Sequence, residues 1–216
     1  MSSNRSRMSL RDALEPLRAA RRPSDVVITT MGPAREWMAL GPTHPLDFVF
    51  VPSAMGHATS LGLGLALSRP DRRVIVVNGD GSLLMNLGSL VTITAERPPN
   101  LIVLVCDNGV YEVTGSQPTP ASPGGRAADD RVDFLGLARA TGFNSLFRFS
   151  SREHWTAGLE TVLNTPGPTF TELEVSGDPE ARGPRSPGPT IDRAARFMDA
   201  LRNSVDSTVP QEPWNR

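Results

Sequence analysis

Apolar and polar positions along this chain fall into alternating blocks. Two runs, Val74-Ile75-Val76-Val77 and Leu101-Ile102-Val103-Leu104-Val105, are continuously apolar, the pattern of strands covered on both faces. With the shorter β-rich runs they predict strands over Val26–Thr30, Phe48–Val51, Arg73–Asn78, Leu101–Asp107, Ser145–Phe149 and Thr169–Glu174. Between these, apolar residues at helical spacing predict helices over Leu10–Ala20, Ala34–Leu40, Gly56–Ser68, Leu83–Glu96, Val132–Thr141 and Arg152–Asn164. Asp133 and Ser151 stand where helix N-terminal signals belong. Strand and helix alternate without an internal repeat, which predicts an α/β class. The expected architecture is three-layered: a mostly parallel six-stranded sheet with helices on both faces.

Two stretches break the rhythm. Gln117–Asp130 holds three prolines and two glycines and reads as a loop long enough to carry function. Ser176–Pro189 is rich in Gly, Pro and Arg and reads as a linker. Beyond it, Ile191, Ala194, Ala195, Met198 and Leu201 recur at helical spacing over Thr190–Asn203. The expected organisation is a lead-in with one helix over 1–24, a main domain over 25–175, the linker over 176–189, a terminal helix over 190–203 and a loose tail over 204–216.

Composition narrows the chemistry. The 216 residues suffice for one domain with a real core, and a net charge of −1 gives no reason to expect nucleic acid or an anionic membrane surface. All 22 basic residues are arginine; without lysine there is no Schiff-base amine and no Walker-type phosphate loop. Cys106 is the only cysteine, so neither an intramolecular disulfide nor a cysteine-rich zinc site can form, and its apolar strand suggests inert core. No apolar run approaches the roughly 18 residues of a membrane span, and Met1–Arg7 lacks the apolar stretch of a signal peptide. A cytoplasmic location is the expectation.

The candidate chemistry starts at Asn78-Gly79-Asp80-Gly81-Ser82, after one strong strand and before a helical pattern. Glycines flanking an acid at a strand's carboxyl end let backbone approach a ligand, and the following helix offers free N–H groups to a phosphate. Asp107-Asn108-Gly109 ends the next strong strand, with Asn108 28 residues after Asp80. One helix and one strand fill that interval, so Asp80 and Asn108 should emerge side by side on one sheet edge. An acid, an amide and a loop carbonyl form the oxygen-rich set that Mg²⁺ prefers. A turn acid and a strand-ending amide with no ligand fit the spacing equally well.

Gly79-Asp80-Gly81 followed by Asp107-Asn108 resembles the Gly-Asp-Gly to Asn-Asn motif of thiamine-diphosphate enzymes, in their diphosphate-binding domain. The chain departs from the motif at Asp107. The resemblance implies Mg²⁺ held by Asp80, Asn108 and the carbonyl of Val110, with Gly79, Gly81, Ser82 and Asn108 at the diphosphate. Ser53-Ala54-Met55-Gly56-His57-Ala58 is similar to the segment that cradles the aminopyrimidine, and implies Met55 as the wedge that bends the cofactor. Thr29-Thr30 and Pro33-Ala34-Arg35-Glu36 resemble the family's first strand and turn, placing Thr30 and Gly32 near diphosphate, although Met31 stands where Gly is expected. Gly109–Thr119, ending in Gly-Ser-Gln-Pro-Thr, looks like phosphonopyruvate decarboxylases and the β subunit of sulfopyruvate decarboxylase. So does the tail, with Arg196, Phe197 and Met198 on its helix.

Thiamine catalysis needs a carboxylic acid at N1′ of the aminopyrimidine. In this family that Glu lies on a separate pyrimidine-binding domain, for which residues 1–24 leave no room. The resemblance therefore implies a partner α subunit carrying the Glu, most simply in an α2β2 assembly. It implies a non-oxidative decarboxylase for a small anionic 2-oxo acid, of the sulfopyruvate or phosphonopyruvate type. A carboligase of the acetolactate synthase type and a non-catalytic regulatory subunit are the alternatives. Glu112 is a candidate proton donor or a solvated loop acid; His57 is a candidate catalytic group or a helix-start residue. Tyr111 and Gln117 are candidate pocket walls, Tyr111 also facing the cofactor. Arg126 and Arg131 are candidate partners for the substrate's second anion, while His44 and His154 read as exposed.

Overall fold

The computed structural model describes residues 7–49, 55–122, 131–177 and 188–203. Six parallel strands form one sheet in the order β2-β1-β3-β4-β8-β7. They are β1 (Val26–Thr29), β2 (Asp47–Val49), β3 (Val74–Gly79), β4 (Leu101–Asp107), β7 (Ser145–Phe149) and β8 (Thr169–Glu174). A small antiparallel pair, β5 (Val110–Tyr111) and β6 (Gln117–Pro118), rises from the end of β4. The class and the six-stranded parallel sheet agree with the sequence pattern.

The helices are α1 (Leu10–Ala20), α2 (Met31–Ala39), α3 (Ala58–Ser68), α4 (Asp80–Leu84), α5 (Gly88–Glu96), α6 (Phe134–Thr141), α7 (Arg152–Asn164) and α8 (Thr190–Asn203). They divide between the two faces. On the first, Ala13, Leu14 and Leu17 of α1, Trp37 of α2, and Trp155, Leu159 and Val162 of α7 pack against Val27, Ile75, Val77, Ile102 and Leu104. On the second, α3, α5 and α6, with Phe197 of α8, pack against Val26, Ile28, Val74, Val76, Val103 and Val105. Strand residues alternate between these two cores, so both faces are dry. That is why the two central runs carry no polar positions. Each large side chain buried this way contributes about 1.5–3 kcal/mol. Both buried tryptophans satisfy their N–H: Trp155 Nε1 donates to the Ala13 carbonyl at 2.8 Å, and Trp37 Nε1 to Asp47 Oδ2 at 2.9 Å.

Several boundaries differ from the sequence pattern, each for a local reason. The helix expected over Leu83–Glu96 is two helices, because the chain turns helical at Asp80, directly after β3, and turns again at Met85–Leu87. The helix expected from Gly56 begins at Ala58; Gly56 has φ +83° and is a turn. The helix expected from Ala34 begins at Met31, whose φ of +55° marks a sharp exit from β1. Thr30, expected in β1, is the extended residue before that helix. Part of the expected loop Gln117–Asp130 is strand β6, and residues 123–130 lie outside the described set. Ser176, the first residue of the expected linker, is tied to the lead-in. Met8 bridges Val175 in parallel, and Ser176 N–H donates to the Met8 carbonyl at 2.9 Å, so the lead-in extends the sheet. Residues 178–187 of that linker and the 204–216 tail lie outside the description, as does the end of the strand expected to reach Val51. The lead-in helix shares its core with the main domain. Its Ser9 and Asp12 form a reciprocal cap, Ser9 Oγ accepting from Asp12 N–H at 3.0 Å and Asp12 Oδ2 from Ser9 N–H at 3.2 Å. Among the described residues no helix is long and apolar enough to cross a membrane.

From β1 the chain goes first to β2 on one side, then crosses to β3 on the other. In an open parallel sheet such a reversal leaves a crevice at the carboxyl ends of the two diverging strands. The crevice lies at the tips of β1 and β3.

Candidate cofactor site

A small cleft, open to solvent on one side, occupies that crevice. The tips of β1, β3 and β4 and the β5 turn bring together Gly32, Met55, Gly79, Asp80, Gly81, Ser82, Asn108, Val110, Tyr111 and Glu112. These are most of the residues expected to form the site, drawn from four separate stretches. Thr30 sits just behind, fully buried. Ser53, Ala54 and Arg126 lie outside the described residues.

Asp80 is the centre of the cleft's polarity. It follows β3 immediately, so it is only 2% exposed. Its Oδ2 accepts from the Gly109 N–H at 3.1 Å and from Thr119 Oγ1 at 3.3 Å. Burial pushes its pKa up to about 6, and hydrogen bonds to Gly81, Gly109 and Thr119 pull the other way without cancelling it. Nothing cationic is among those partners. A buried carboxylate whose ionised form lacks a counter-charge is suited to a metal ion.

Asn108 and Val110 lie next to it. Asn108 Oδ1 accepts the Val110 N–H at 2.9 Å, an Asx turn that holds the amide at the strand tip. Gly109, with φ +74°, makes the turn, and its carbonyl accepts from Thr119 N–H at 2.9 Å. Val110 pairs across the hairpin with Pro118, which has no N–H to give to the Val110 carbonyl. Asp80, Asn108 and Val110 line one cleft, and a carboxylate, an amide oxygen and a backbone carbonyl are ligands of the hard-oxygen kind that suits Mg²⁺. Among the described residues no cluster of three or more His, Cys, Asp or Glu competes for a metal.

Two glycines of the cleft are closely covered by side chains. A Cβ on Gly81 would meet the Tyr111 ring at 2.5 Å, so the tyrosine lies flush on the backbone there. Ser82 Oγ accepts from Gly56 N–H at 2.9 Å, and Asn86 Nδ2 donates to the Gly56 carbonyl at 2.9 Å, pinning the Met55–Gly56 turn to the start of α4. Thr29 and Thr30 Oγ1, at the end of β1, are buried without a hydrogen-bond partner, a costly state. Glu112 packs against Gly32, its Oε2 only 2.8 Å from where a Gly32 Cβ would be.

Three candidates stand elsewhere. His57 precedes α3 in solvent, its Nδ1 3.0 Å from the Met55 carbonyl, and does not line the cleft. Gln117 is exposed, donating to the Thr114 carbonyl at 3.1 Å. Arg131 is drawn away from the cleft by Asp107 and Glu174. His44, expected in solvent, is half-buried: its Nδ1 accepts from Leu46 N–H at 3.1 Å, and burial pushes its pKa down. His154 is exposed as expected. Cys106 is buried at the cleft floor, and burial, with Asp80 and Glu112 adding, raises its thiol pKa so that it stays neutral. The pattern along the chain missed Leu10, Met85, Val175 and Ser176 as cleft residues. They come from an amphipathic helix, a turn and a strand end, and carry no local chemical signal.

Residues 29–173 match the model of the thiamine pyrophosphate enzyme C-terminal TPP-binding domain. The chain belongs to this family. It is 42% identical to the sulfopyruvate decarboxylase subunit beta of Methanothermobacter thermautotrophicus, over 70% of this chain and 74% of that one. It is 40% identical to the phosphonopyruvate decarboxylase of Streptomyces hygroscopicus, over 76% of this chain, but spans only 38% of that relative's length. A crystal structure from Mycobacterium smegmatis, described as a thiamin diphosphate-dependent enzyme, matches 79% of this chain with a TM-score of 0.65. At 20% identity over 32% of that protein it supports the fold alone.

Proposed function

We propose that this chain is the diphosphate-binding subunit of a thiamine-diphosphate-dependent 2-oxo acid decarboxylase, working with a partner subunit that supplies the activating Glu. The observation that carries the reading is the meeting of Asp80 with the Gly109 backbone, which sets an acid beside Asn108 and Val110 in a cleft at the sheet's switch point. Its support also includes the relative named as a β subunit, most of whose length this chain spans.

Bound thiamine diphosphate supplies the carbon nucleophile and electron sink for loss of CO₂ from a 2-oxo acid. This chain's residues bind and orient it. Asp80, Asn108 and the Val110 carbonyl would hold Mg²⁺, whose charge would offset that of the diphosphate and keep Asp80 ionised. Gly32, Gly79, Gly81 and Ser82 line the cleft and, with Thr30 two residues before Gly32, would offer the diphosphate backbone N–H and hydroxyl donors. Met55, with Met31, Met85 and Val175 on the cleft wall, presents an apolar face to the cofactor's rings and excludes water. Tyr111 closes the side over Gly81. Glu112, inside the cleft, is the proton donor to the reacting carbon. The substrate is a short 2-oxo acid with a second anionic group, giving an aldehyde and CO₂.

The test is co-expression with the partner subunit, followed by CO₂ release from sulfopyruvate and 3-phosphonopyruvate with and without thiamine diphosphate and Mg²⁺. Release that needs both chains and both cofactors is expected. Full activity from this chain alone would refute the two-subunit reading. Cofactor binding without turnover of either acid would favour a regulatory subunit.

A further inference from the structure

Asp107 is the last residue of β4 and the immediate neighbour of Asn108, yet the two serve different sides of the sheet. Along β4, Leu101, Val103 and Val105 face the α3–α6 core, and Ile102, Leu104 and Cys106 face the other. Asp107 continues the first series, and Glu172 and Glu174 on β8 continue the matching series from Phe170. In register, Asp107 is opposite Glu174. Three carboxylates thus gather on one face at the tips of two adjacent strands. Asp107 and Glu172 are almost fully buried, at 1% and 2% exposure.

Two arginines answer them. Arg148 Nε meets Glu172 Oε2 at 2.8 Å, and its Nη2 meets Asp133 at 2.6 Å. Arg131 pairs with Asp107 through Nη2, while its Nη1 lies 3.7 Å from Glu174. Arg131 stands where the chain returns from the β5–β6 excursion: Val132 N–H donates to the Ala121 carbonyl at 3.1 Å, and Thr119 N–H to Gly109 at 2.9 Å. Asp107 and Arg131 are therefore the two ends of the excursion that carries Asn108, Val110, Tyr111 and Glu112, joined by one ion pair.

A buried acid next to a cation site is a hazard, because an uncompensated carboxylate seeks the nearest positive charge. We infer that Arg131 is a positioning residue of the cation site, which locks Asp107 onto the face away from the cleft and leaves Asn108 as the polar group that β4 offers there. It is not a clamp for the substrate's second anion. This inference rests on the proposal that Asn108 serves Mg²⁺ and assigns the arginine whose charge that geometry requires.

The test compares wild type, R131M, D107N and D107N/R131M, each as the full chain with its partner subunit. Calorimetric titration of thiamine diphosphate at graded Mg²⁺ gives the Mg²⁺ needed for half-saturation. Melting temperature and KM for 3-phosphonopyruvate or sulfopyruvate are measured alongside. R131M leaves a bare buried acid, and should raise the half-saturating Mg²⁺ about tenfold or more with KM changed less than about twofold. D107N should act more weakly, since Arg131 keeps Glu174. The double variant should return to within about threefold of wild type, the signature of a coupled pair. A raised KM with unchanged Mg²⁺ dependence and no rescue would make Arg131 a substrate ligand and overturn the inference. A lowered melting temperature with unchanged Mg²⁺ dependence would also overturn it, leaving a merely structural pair. Absence of Mg²⁺-dependent cofactor binding in wild type would fail the cofactor reading itself, in a separate arm, and this inference with it.

Discussion

The Gly109 backbone N–H donates to the Asp80 carboxylate at 3.1 Å across 29 positions of sequence. This bond fastens the tip of β4 to the end of β3. It makes the site a product of two neighbouring parallel strands, not of either loop. Thr119 adds a second donor from the returning strand of the hairpin. Replacing Asp80 by Asn should preserve these bonds, because the amide carbonyl also accepts, while removing the charge that the proposal assigns to Mg²⁺ binding. We expect the affinity of the assembled protein for thiamine diphosphate with Mg²⁺ to fall by about a hundredfold or more, the loss of a charged interaction of about 3 kcal/mol. Calorimetry would read it; cofactor affinity unchanged in D80N would remove Asp80 from the cation site.

Gly81 is held against the Tyr111 ring. An Ala there puts Cβ 2.5 Å from Tyr111 Cε1 and 2.6 Å from Cδ1, so the ring and its hairpin must shift. Overpacking of this kind costs about 1–3 kcal/mol. G81A should lower the melting temperature modestly and weaken cofactor binding. G81A paired with Tyr111→Ala should recover much of the stability, because the clash then has no partner. An unaltered melting curve for G81A would show that the ring moves freely.

Glu112 lies in the cleft against Gly32. In the proposed role of proton donor it would act after the substrate is engaged, so E112Q should lower kcat by roughly a hundredfold while leaving the calorimetric affinity for thiamine diphosphate within about threefold. Gln keeps the size and loses the acid. A variant with full kcat would reduce Glu112 to a wall of the cleft.

The legibility of this chain in its sequence follows the range of the forces involved. The central strands read cleanly, because a run buried on two faces must be continuously apolar. The juxtaposition of Asp80 and Asn108 read correctly for the same reason: a strand, a helix and a strand leave little freedom for where the next tip emerges. Where placement depended on a distant partner, the pattern failed. Nothing local announces that Asp107 captures Arg131, or that Met8 reaches Val175 and carries Ser176 to the rim of the cleft. His44 looked solvated among prolines, yet the turn that bonds it to Leu46 buries half of it. The break between α4 and α5 was hidden because its residues Met85 and Leu87 fit a continuous helix, and only the tie between Asn86 and Gly56 requires the turn.

Stability against pH should expose Asp80 in the cofactor-free chain. Its folded pKa of about 6 lies above the ordinary 3.8 because burial disfavours the charge. The folded state thus keeps a proton that the unfolded state has released between about pH 4 and 6. Stability must fall as pH rises through that window and stay low above it. The difference of about two pKa units corresponds to about 3 kcal/mol, as an order of magnitude. Glu172, also shifted upward by burial and opposed by Arg148, pushes in the same direction, but equally in wild type and in D80N. Comparing the two isolates Asp80. Their melting temperatures should nearly coincide at pH 4, and D80N should lead by about 6–12 °C at pH 7.5, given about 2–4 °C per kcal/mol at this size. With thiamine diphosphate, Mg²⁺ and the partner subunit, the wild type should lose its share of this slope, since a bound cation holds the carboxylate ionised at every pH in the range. Parallel curves without cofactor would mean that water, not burial, sets the charge of Asp80, and the cation site would lose its driving force.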